Sequence, residues 1–191
     1  SRNLSAVFTL KFVSIYGTNT VAAMGIGGRL LNFAFMPIMG IATGSSTIVG
    51  QCLGAEDVER AKDTAKFSAF VNFVMMTAVS ILAIIFPKQI MKIFIDDIDV
   101  INVGKPMIQI ITPALIGGGI AMGLGSVFSG SGHNTPFLLS SLISRWGVQV
   151  PLLFLVTKIF KLSALYVWIS FLVADAIEMV IVSIAYKKGK W

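Results

Sequence analysis

The sequence predicts an all-α polytopic membrane protein, for three reasons. Its 191 residues have a mean hydropathy of +0.86, and 55% of them are hydrophobic. Only 13% are charged, about half of the roughly 25% that is typical of soluble chains. The apolar residues form stretches of about 20 residues, the length that crosses ~30 Å of hydrocarbon. This excludes a cytosolic enzyme, a disordered tail and a secreted disulfide scaffold, and the single cysteine, Cys52, cannot form an intramolecular bridge.

Six apolar segments are the predicted transmembrane spans. They cover residues 4–16, 20–53, 67–86, 106–128, 136–156 and 162–186. The first segment is short and contains Lys11, and the chain starts at a serine. We therefore expect the chain to be cut inside or just before a helix. The segment also lacks the basic region and small-residue cleavage site of a signal peptide.

Three of the segments between the spans have a recognisable hydrophilic pattern. Residues 55–66 place acidic residues three or four positions before basic ones, which predicts a short surface helix with charge pairs. Residues 90–103 alternate apolar and charged residues, which predicts an interfacial amphipathic helix. Residues 129–136 are a Gly/Ser-rich turn. The only histidine, His133, lies in this turn and is expected to be a solvated turn residue without a metal.

The basic residues are divided unequally between the two sides of the membrane. With six crossings both termini lie on one side, which collects eight: Arg2, Arg60, Lys62, Lys66, Arg145 placed near a membrane edge, Lys187, Lys188 and Lys190. The other side collects five: Lys88, Lys92, Lys105, Lys158 and Lys161. The positive-inside rule therefore predicts cytoplasmic termini, and the short loops favour a prokaryotic plasma (inner) membrane. Nucleic acid is not an expected partner, because the net charge of +6 lies in separate gaps rather than on one stripe.

Glycines recur at spacing four in the pairs 40/44, 50/54 and 119/123. This spacing favours the close approach of helix backbones in lipid, and a conformational hinge is the alternative. A phosphate-binding loop is excluded at residues 125–130, because no Gly-Lys-Ser/Thr follows.

Two carboxylates in the last span are the candidates for coupling to a cation. Asp175 is predicted near the middle of the membrane, and Glu178 lies about one helical turn nearer the cytoplasm. A carboxylate in hydrocarbon is costly and is usually functional or paired. The alternatives are a structural ion pair with Arg145, Arg29 or Lys11, or a Glu178 that reaches the interface.

Pro37 lies in the middle of the second span and predicts a kink, either static or beside a cavity that opens and closes. Polar or soft residues in mid-span make Asn32, Met36, Gln109 and Met122 the candidates for lining a cavity. The methionines could instead simply face lipid or the core. No His cluster, Ser/His pair or further carboxylate dyad converges, so we expect no enzyme, no catalytic residues and no bound cofactor.

Nearly the whole chain resembles a known family. The pattern VGQ.LGA.D..RA, formed by Val49-Gly50-Gln51, Leu53-Gly54-Ala55, Asp57, Arg60 and Ala61, is similar to a signature of the multidrug and toxic compound extrusion (MATE) transporters. The stretches IMKIFIDDIDVI and FSGSGHNTPFLLSSLISR resemble the next loop and the Gly-rich turn of that family. The pair Ala174-Asp175 and the basic end after Tyr186 resemble its last helix.

The resemblance implies one lobe of a two-lobe transporter. MATE proteins have twelve spans in two six-helix lobes, with a substrate cavity between the lobes. Residues 1–191 would be the C-terminal lobe, and the N-terminal lobe would be a missing partner. The implied function is alternating-access export of small organic, chiefly cationic, drugs or metabolites in exchange for H⁺ or Na⁺.

The chain also departs from the family pattern. The sodium-coupled branch carries an acid in the tenth helix, where this sequence has Gly117-Gly118-Gly119-Ile120. Its seventh-helix acid would fall at about Arg2 or Asn3. The resemblance thus implies that this lobe lacks the known cation site. Coupling would then rest on an acid in the missing lobe, as the resemblance to another branch of the family implies, with Asp175 as a secondary candidate. The alternatives are a lipid-linked oligosaccharide flippase, for which Arg29, Arg145 and Lys11 are the available cations, and a half-lobe that does not transport.

Overall fold

The computed structural model describes residues 2–160, 162–189 and 191, with side chains described from residue 7 onward in these ranges. All regular structure in the described ranges is helical, which confirms the all-α prediction. The helices are α1 (Arg2–Val13, continued by a 3₁₀ turn at Ser14–Tyr16), α2 (Thr18–Gly54), α3 (Val58–Ile85), α4 (Pro87–Lys92), α5 (Ile98–Gly130), α6 (Thr135–Ile159) and α7 (Ala164–Lys187).

Five of these helices, α2, α3, α5, α6 and α7, are long and apolar enough to cross a membrane. The apolar α1 is shorter. The chain is therefore a multi-pass membrane protein whose described part supplies five long membrane helices and one shorter helix.

Two long-range hydrogen bonds identify the two ends of the helix bundle. The Tyr186 hydroxyl near the end of α7 donates to the Lys62 carbonyl near the start of α3, at 3.3 Å. The Tyr16 hydroxyl donates to the Leu162 carbonyl between α6 and α7, at 2.6 Å. One end of the bundle therefore carries the 55–57 and 131–134 loops and the end of α7, and the other carries the α1–α2 and α6–α7 connections.

The surface helix predicted over residues 55–66 is not a separate element. Asp57 caps the N-terminus of α3 by accepting a hydrogen bond from the Arg60 backbone N–H at 3.1 Å. Of the predicted charge pairs, Glu59 with Lys62 is present, with Lys62 Nζ 2.8 Å from Glu59 Oε1, whereas Glu56 and Arg60 form no ion pair in the described structure. A further pair joins Lys66 Nζ and the Asp63 carboxylate at 3.3 Å. The helix then runs on into the apolar span, because no helix-breaking residue separates its charged first turns from the apolar turns that follow.

The single interfacial helix predicted over residues 90–103 is wrong. Helix α4 ends at Lys92, and α5 begins at Ile98 because the Asp97 carboxylate accepts hydrogen bonds from the backbone N–H groups of Asp99 and Val100, at 2.9 and 3.3 Å. The acidic residues that suggested one amphipathic helix therefore include the cap that starts the next membrane helix.

Helix α5 is the centre of the bundle and packs against α2, α3 and α7. Two glycines of α5 allow its backbone to approach that of α3 closely. A methyl group at Gly123 would overlap the backbone of Ala69, and one at Gly119 would lie 3.2 Å from the Asn72 carbonyl oxygen. Close packing is thus confirmed at this pair. The same prediction of close packing is wrong within this chain for Gly40 and Gly44, because a methyl group at either position would meet no described atom within 4 Å.

Candidate functional site

Four polar side chains meet between α6 and α7. The Arg145 Nη2 group donates a hydrogen bond to Asp175 Oδ1 at 2.5 Å and lies 3.8 Å from Glu178 Oε2. The Arg145 Nη1 group donates to Gln149 Oε1 at 3.1 Å. We call these four residues the ionic cluster. One guanidinium therefore contacts both carboxylates of the last helix.

The ionic cluster is almost completely removed from solvent. The side chains of Arg145, Asp175 and Glu178 are 15%, 13% and 4% exposed, and Gln149 is 2% exposed. Taking charges out of water is costly, and removing one partner of a buried ion pair typically destabilises a protein by about 3–5 kcal/mol. The cluster therefore stays together because separating the guanidinium from the carboxylates would leave buried charges unpaired.

Helix geometry brings the four residues to the same place. Asp175 and Glu178 are three residues apart on α7, and Arg145 and Gln149 are four apart on α6, so each pair occupies one face of its helix. Arg145 and Gln149 also lie in a seven-residue π-helical turn, Ile143–Gln149. Such turns are rare and often mark functional sites, because they widen a helix and redirect its side chains.

The cluster identifies the ion-pair partner of Asp175 among the three cations that the sequence offered. The ion pair with Arg145 is present, whereas Arg29 and Lys11 are exposed. The alternative in which Glu178 reaches the interface is wrong, since this residue is 3% exposed. The placement of Arg145 near a membrane edge is also wrong, because it pairs with Asp175 in the middle of α7.

The four candidates for a cavity lining do not come together. Met122 lines a cavity of about 140 Å³ between α2, α5 and the start of α6. Gln109 is thirteen residues earlier on α5, about 20 Å along the helix, and its Nε2 donates to the Ile84 carbonyl at 3.3 Å. Asn32 and Met36 lie on the exposed face of α2, where Met36 is 71% exposed.

This exposed face of α2 was not predicted from the sequence. Its residues recur every three or four positions along the helix: Arg29, Asn32, Met36, Gly40, Thr43 and Thr47. Pro37 lies on the same face, and α2 continues through it as a helix. Phe33 and Met39 are exposed on α2 as well, so the helix presents a mixed polar and apolar surface, which suits contact with another helix or with a cavity.

A second buried polar group lies between α3 and α5. Asn72 is 0% exposed, and its Nδ2 donates to the Gly119 carbonyl at 3.3 Å. Its Oδ1 atom and the nearby Ser68 Oγ have no hydrogen-bond partner among the described residues. The signal was available in the sequence, since Asn72 is a polar residue inside the predicted span 67–86.

Within the described chain, no group of three or more His, Cys, Asp or Glu residues could hold a metal ion. The ionic cluster offers the chemistry of two carboxylates held against one guanidinium. Its two carboxylates can each hold a proton, a guanidinium or a small cation, and α6 and α7 place them in the low-dielectric interior of the lobe.

Comparison with known proteins assigns the family. The MatE family profile matches residues 2–155. The probable multidrug resistance protein YoeA of Bacillus subtilis is 24% identical over 180 residues, which cover 94% of this chain and 39% of that protein. The probable multidrug resistance protein NorM of Thermotoga maritima is 25% identical over 177 residues, which cover 93% of this chain and 38% of that protein. The chain thus spans about two fifths of the length of these relatives.

Two solved structures show the same helix arrangement. A MOP superfamily transporter from Pyrococcus furiosus superimposes with a TM-score of 0.91 at 18% identity, over 98% of this chain and 42% of that one. The MATE transporter VcmN of Vibrio cholerae superimposes with a TM-score of 0.90 at 21% identity, over the same shares of each chain. The described helices therefore form one lobe of that fold. The chain belongs to the MatE family.

Proposed function

We propose that this chain is the C-terminal lobe of a secondary active transporter, which exports small organic, chiefly cationic, compounds in exchange for H⁺ or Na⁺. The observation that carries the proposal is the family match over residues 2–155. The names of the relatives, multidrug resistance proteins in two bacteria, support organic compounds as substrates. The N-terminal lobe of the same protein would be the structural partner in the bilayer.

The exposed face of α2 is the proposed contribution of this lobe to the substrate path. Asn32 and Met36 would supply a polar contact and a soft apolar contact to a cavity between the lobes. Pro37, on the same face, would let α2 bend as the cavity opens and closes. Met122 would act from the smaller cavity between α2, α5 and α6.

The ionic cluster is the proposed coupling site of this lobe. The tenth-helix acid of the sodium-coupled branch has no counterpart in residues 117–120, and at Gly119 the backbone of α3 leaves little room for a side chain. Asp175 and Glu178 are the remaining carboxylates in the interior of the bundle, and both lie against Arg145. Ion binding there would change the contact between α6 and α7 and so the shape of the lobe.

The proposed orientation has both ends of the chain in the cytoplasm of a prokaryotic cell. With Arg145 assigned to the membrane interior, seven basic residues remain on the side of the termini, against five on the other side. The positive-inside rule favours that orientation. Labelling of single cysteines at positions 133 and 92 in intact cells tests it, because only position 92 should react with an impermeant reagent.

Efflux by the full-length protein tests the proposed function. The transporter is reconstituted in proteoliposomes, and ethidium efflux is followed while a sodium gradient and a proton gradient are imposed separately. We expect efflux to follow one of the two gradients. Efflux under neither gradient contradicts the antiporter, and flipping of a labelled lipid-linked oligosaccharide by the same vesicles would indicate a flippase instead.

A further inference from the structure

We infer that the Arg145 guanidinium is a built-in cation, which competes with the coupling ion for the carboxylates of Asp175 and Glu178. The inference rests on the proposed coupling of this lobe to H⁺ or Na⁺ and adds a residue that sets how tightly the ion binds. In the state described here, Arg145 holds the place of the coupling ion. Binding of a proton or a sodium ion then requires the guanidinium to release at least one carboxylate.

The position of one nitrogen atom is the first support. Arg145 Nη2 is 2.5 Å from Asp175 Oδ1 and 3.8 Å from Glu178 Oε2. A small cation that contacted both carboxylates would therefore have to occupy the space beside this nitrogen. Two positive charges in that space repel one another strongly at low dielectric, so the guanidinium and a second cation exclude each other.

The charges around the cluster are the second support. Residues 107–130 of α5, which pack along α7, contain no charged side chain. On α6 the only other charge is Lys158, thirteen residues further along the helix, and it is exposed. On α1, Lys11 is exposed, and the side chain of Arg2 lies outside the described part of the chain. Among the described residues of these helices, Arg145 is thus the cation that an incoming ion must displace from the two carboxylates.

The way Arg145 is held is the third support. Gln149 Oε1 accepts a hydrogen bond from Arg145 Nη1, which directs Nη2 towards the carboxylates. Gln149 is therefore a positioning residue. Both residues lie in the π-helical turn Ile143–Gln149, and helices can change locally at such turns because the backbone hydrogen-bond register already departs from the α-helical one. A guanidinium on this turn can leave its partners without unfolding the rest of α6.

Trp146 provides a readout at the site that does not depend on drug transport. It follows Arg145 in the chain, and its ring packs edge-on against Phe8 of α1 with centroids 5.6 Å apart. Displacement of Arg145 should change the surroundings of this ring. The tryptophan fluorescence of the purified full-length protein is therefore titrated with sodium chloride at fixed pH and with protons at fixed sodium. The Trp146→Phe variant identifies the part of the signal that comes from this residue.

We expect Arg145→Gln to bind the coupling cation more tightly. Isothermal titration calorimetry, whose signal does not depend on the guanidinium, measures this variant beside the unaltered protein. The half-saturating sodium concentration should fall by about tenfold or more, or the half-point of the proton titration should move up by about one pH unit. Gln149→Leu should shift the half-point in the same direction but less, because it loosens the guanidinium without removing its charge. Lys158→Gln, which removes an exposed cation of the same helix, should leave the half-point unchanged.

An unchanged half-point in Arg145→Gln, in protein that elutes as a single species, overturns the inference. So does the absence of any Trp146-dependent response to both cations in the unaltered protein. If Arg145→Gln does not yield folded protein, an unchanged half-point in Gln149→Leu overturns the inference instead. Efflux that follows a gradient with unmoved half-points keeps the proposed function and rejects the competition. Shifted half-points without efflux reject the proposed function and keep the competition.

Discussion

The Asn72 side chain on α3 donates a hydrogen bond to the Gly119 carbonyl on α5 at 3.3 Å, and the main chain of Asn72 borders the same glycine. The contact is possible because Gly119 has no side chain. It ties two membrane helices together within the stretch 117–120, to which the resemblance assigns the region that carries an acid in the sodium-coupled branch. In this chain Gly119 serves helix packing.

Asn72→Asp should destabilise the protein more than Asn72→Leu. Aspartate cannot donate to the Gly119 carbonyl and would place a carboxylate at a site that is 0% exposed, whereas leucine removes the hydrogen bond without adding a charge. An unsatisfied buried group costs about 1–3 kcal/mol, and a charged one costs more. Thermal unfolding of the full-length protein in detergent measures both variants. An equal loss for the two would show that the added carboxylate carries no extra cost at this buried site.

Gly123→Ala should lower the unfolding temperature, because the added methyl group would overlap the backbone of Ala69. Forcing extra volume into a well-packed core typically costs about 1–3 kcal/mol. Gly28→Ala is the matched control, since a methyl group there meets no described atom within 4 Å and alanine favours the helix. If both variants unfold at the same temperature, the close approach of α3 and α5 is not needed for stability.

Asp57→Ala should weaken the start of α3. The variant loses the carboxylate that accepts from the Arg60 N–H, and removal of an N-cap typically costs about 0.5–2 kcal/mol. Glu56→Ala is a useful comparison, because Glu56 has a φ of 60°, which alanine also tolerates poorly, yet it provides no cap in this structure. Hydrogen exchange of the first turn of α3 separates the two, since only the loss of the cap should expose the Arg60 amide.

The composition sufficed for the fold class, because the hydrocarbon requires long apolar helices and leaves few other solutions. Prediction from the sequence failed where the same side chains fit two structural roles. The acidic residues near position 97 fit an amphipathic helix as well as a helix cap. Only the hydrogen bonds from backbone N–H groups to the Asp97 side chain show that this residue caps the start of α5.

The ionic cluster was predictable in part. Carboxylates in mid-span need partners, so a pair with one of three cations was an expected alternative for Asp175. The sequence could not choose Arg145, because the two residues are thirty positions apart and the π-helical turn that carries Arg145 has no recognised sequence signature. The sequence could not show that Asn32, Gln109 and Met122 lie apart, because their positions depend on how each helix is rotated about its axis, and hydropathy does not determine that rotation.

Removing both carboxylates should be far more destabilising than removing one. In Asp175→Asn/Glu178→Gln the Arg145 charge stays in the interior without an anionic partner from α7, a situation that typically costs about 3–5 kcal/mol. Adding Arg145→Gln to this pair should restore much of the loss, because no charge of the cluster then remains. Thermal unfolding of the double and triple variants measures the difference, and a triple variant no more stable than the double one would contradict the role of the charge.

Asp175→Asn alone should lower transport while the protein still folds. Glu178 Oε2 lies 3.8 Å from Arg145 Nη2, so a carboxylate remains near the guanidinium and the bundle keeps a counter-charge. The variant lacks, however, one of the two groups that we propose to exchange the guanidinium for the coupling ion. We expect the initial rate of gradient-driven ethidium efflux from proteoliposomes to fall by about tenfold, a change that corresponds to about 1.4 kcal/mol. Asp63→Asn, on the exposed first turns of α3, is the control and should transport at the normal rate. Normal efflux by Asp175→Asn at equal reconstituted amounts would rule out this carboxylate as part of the coupling site.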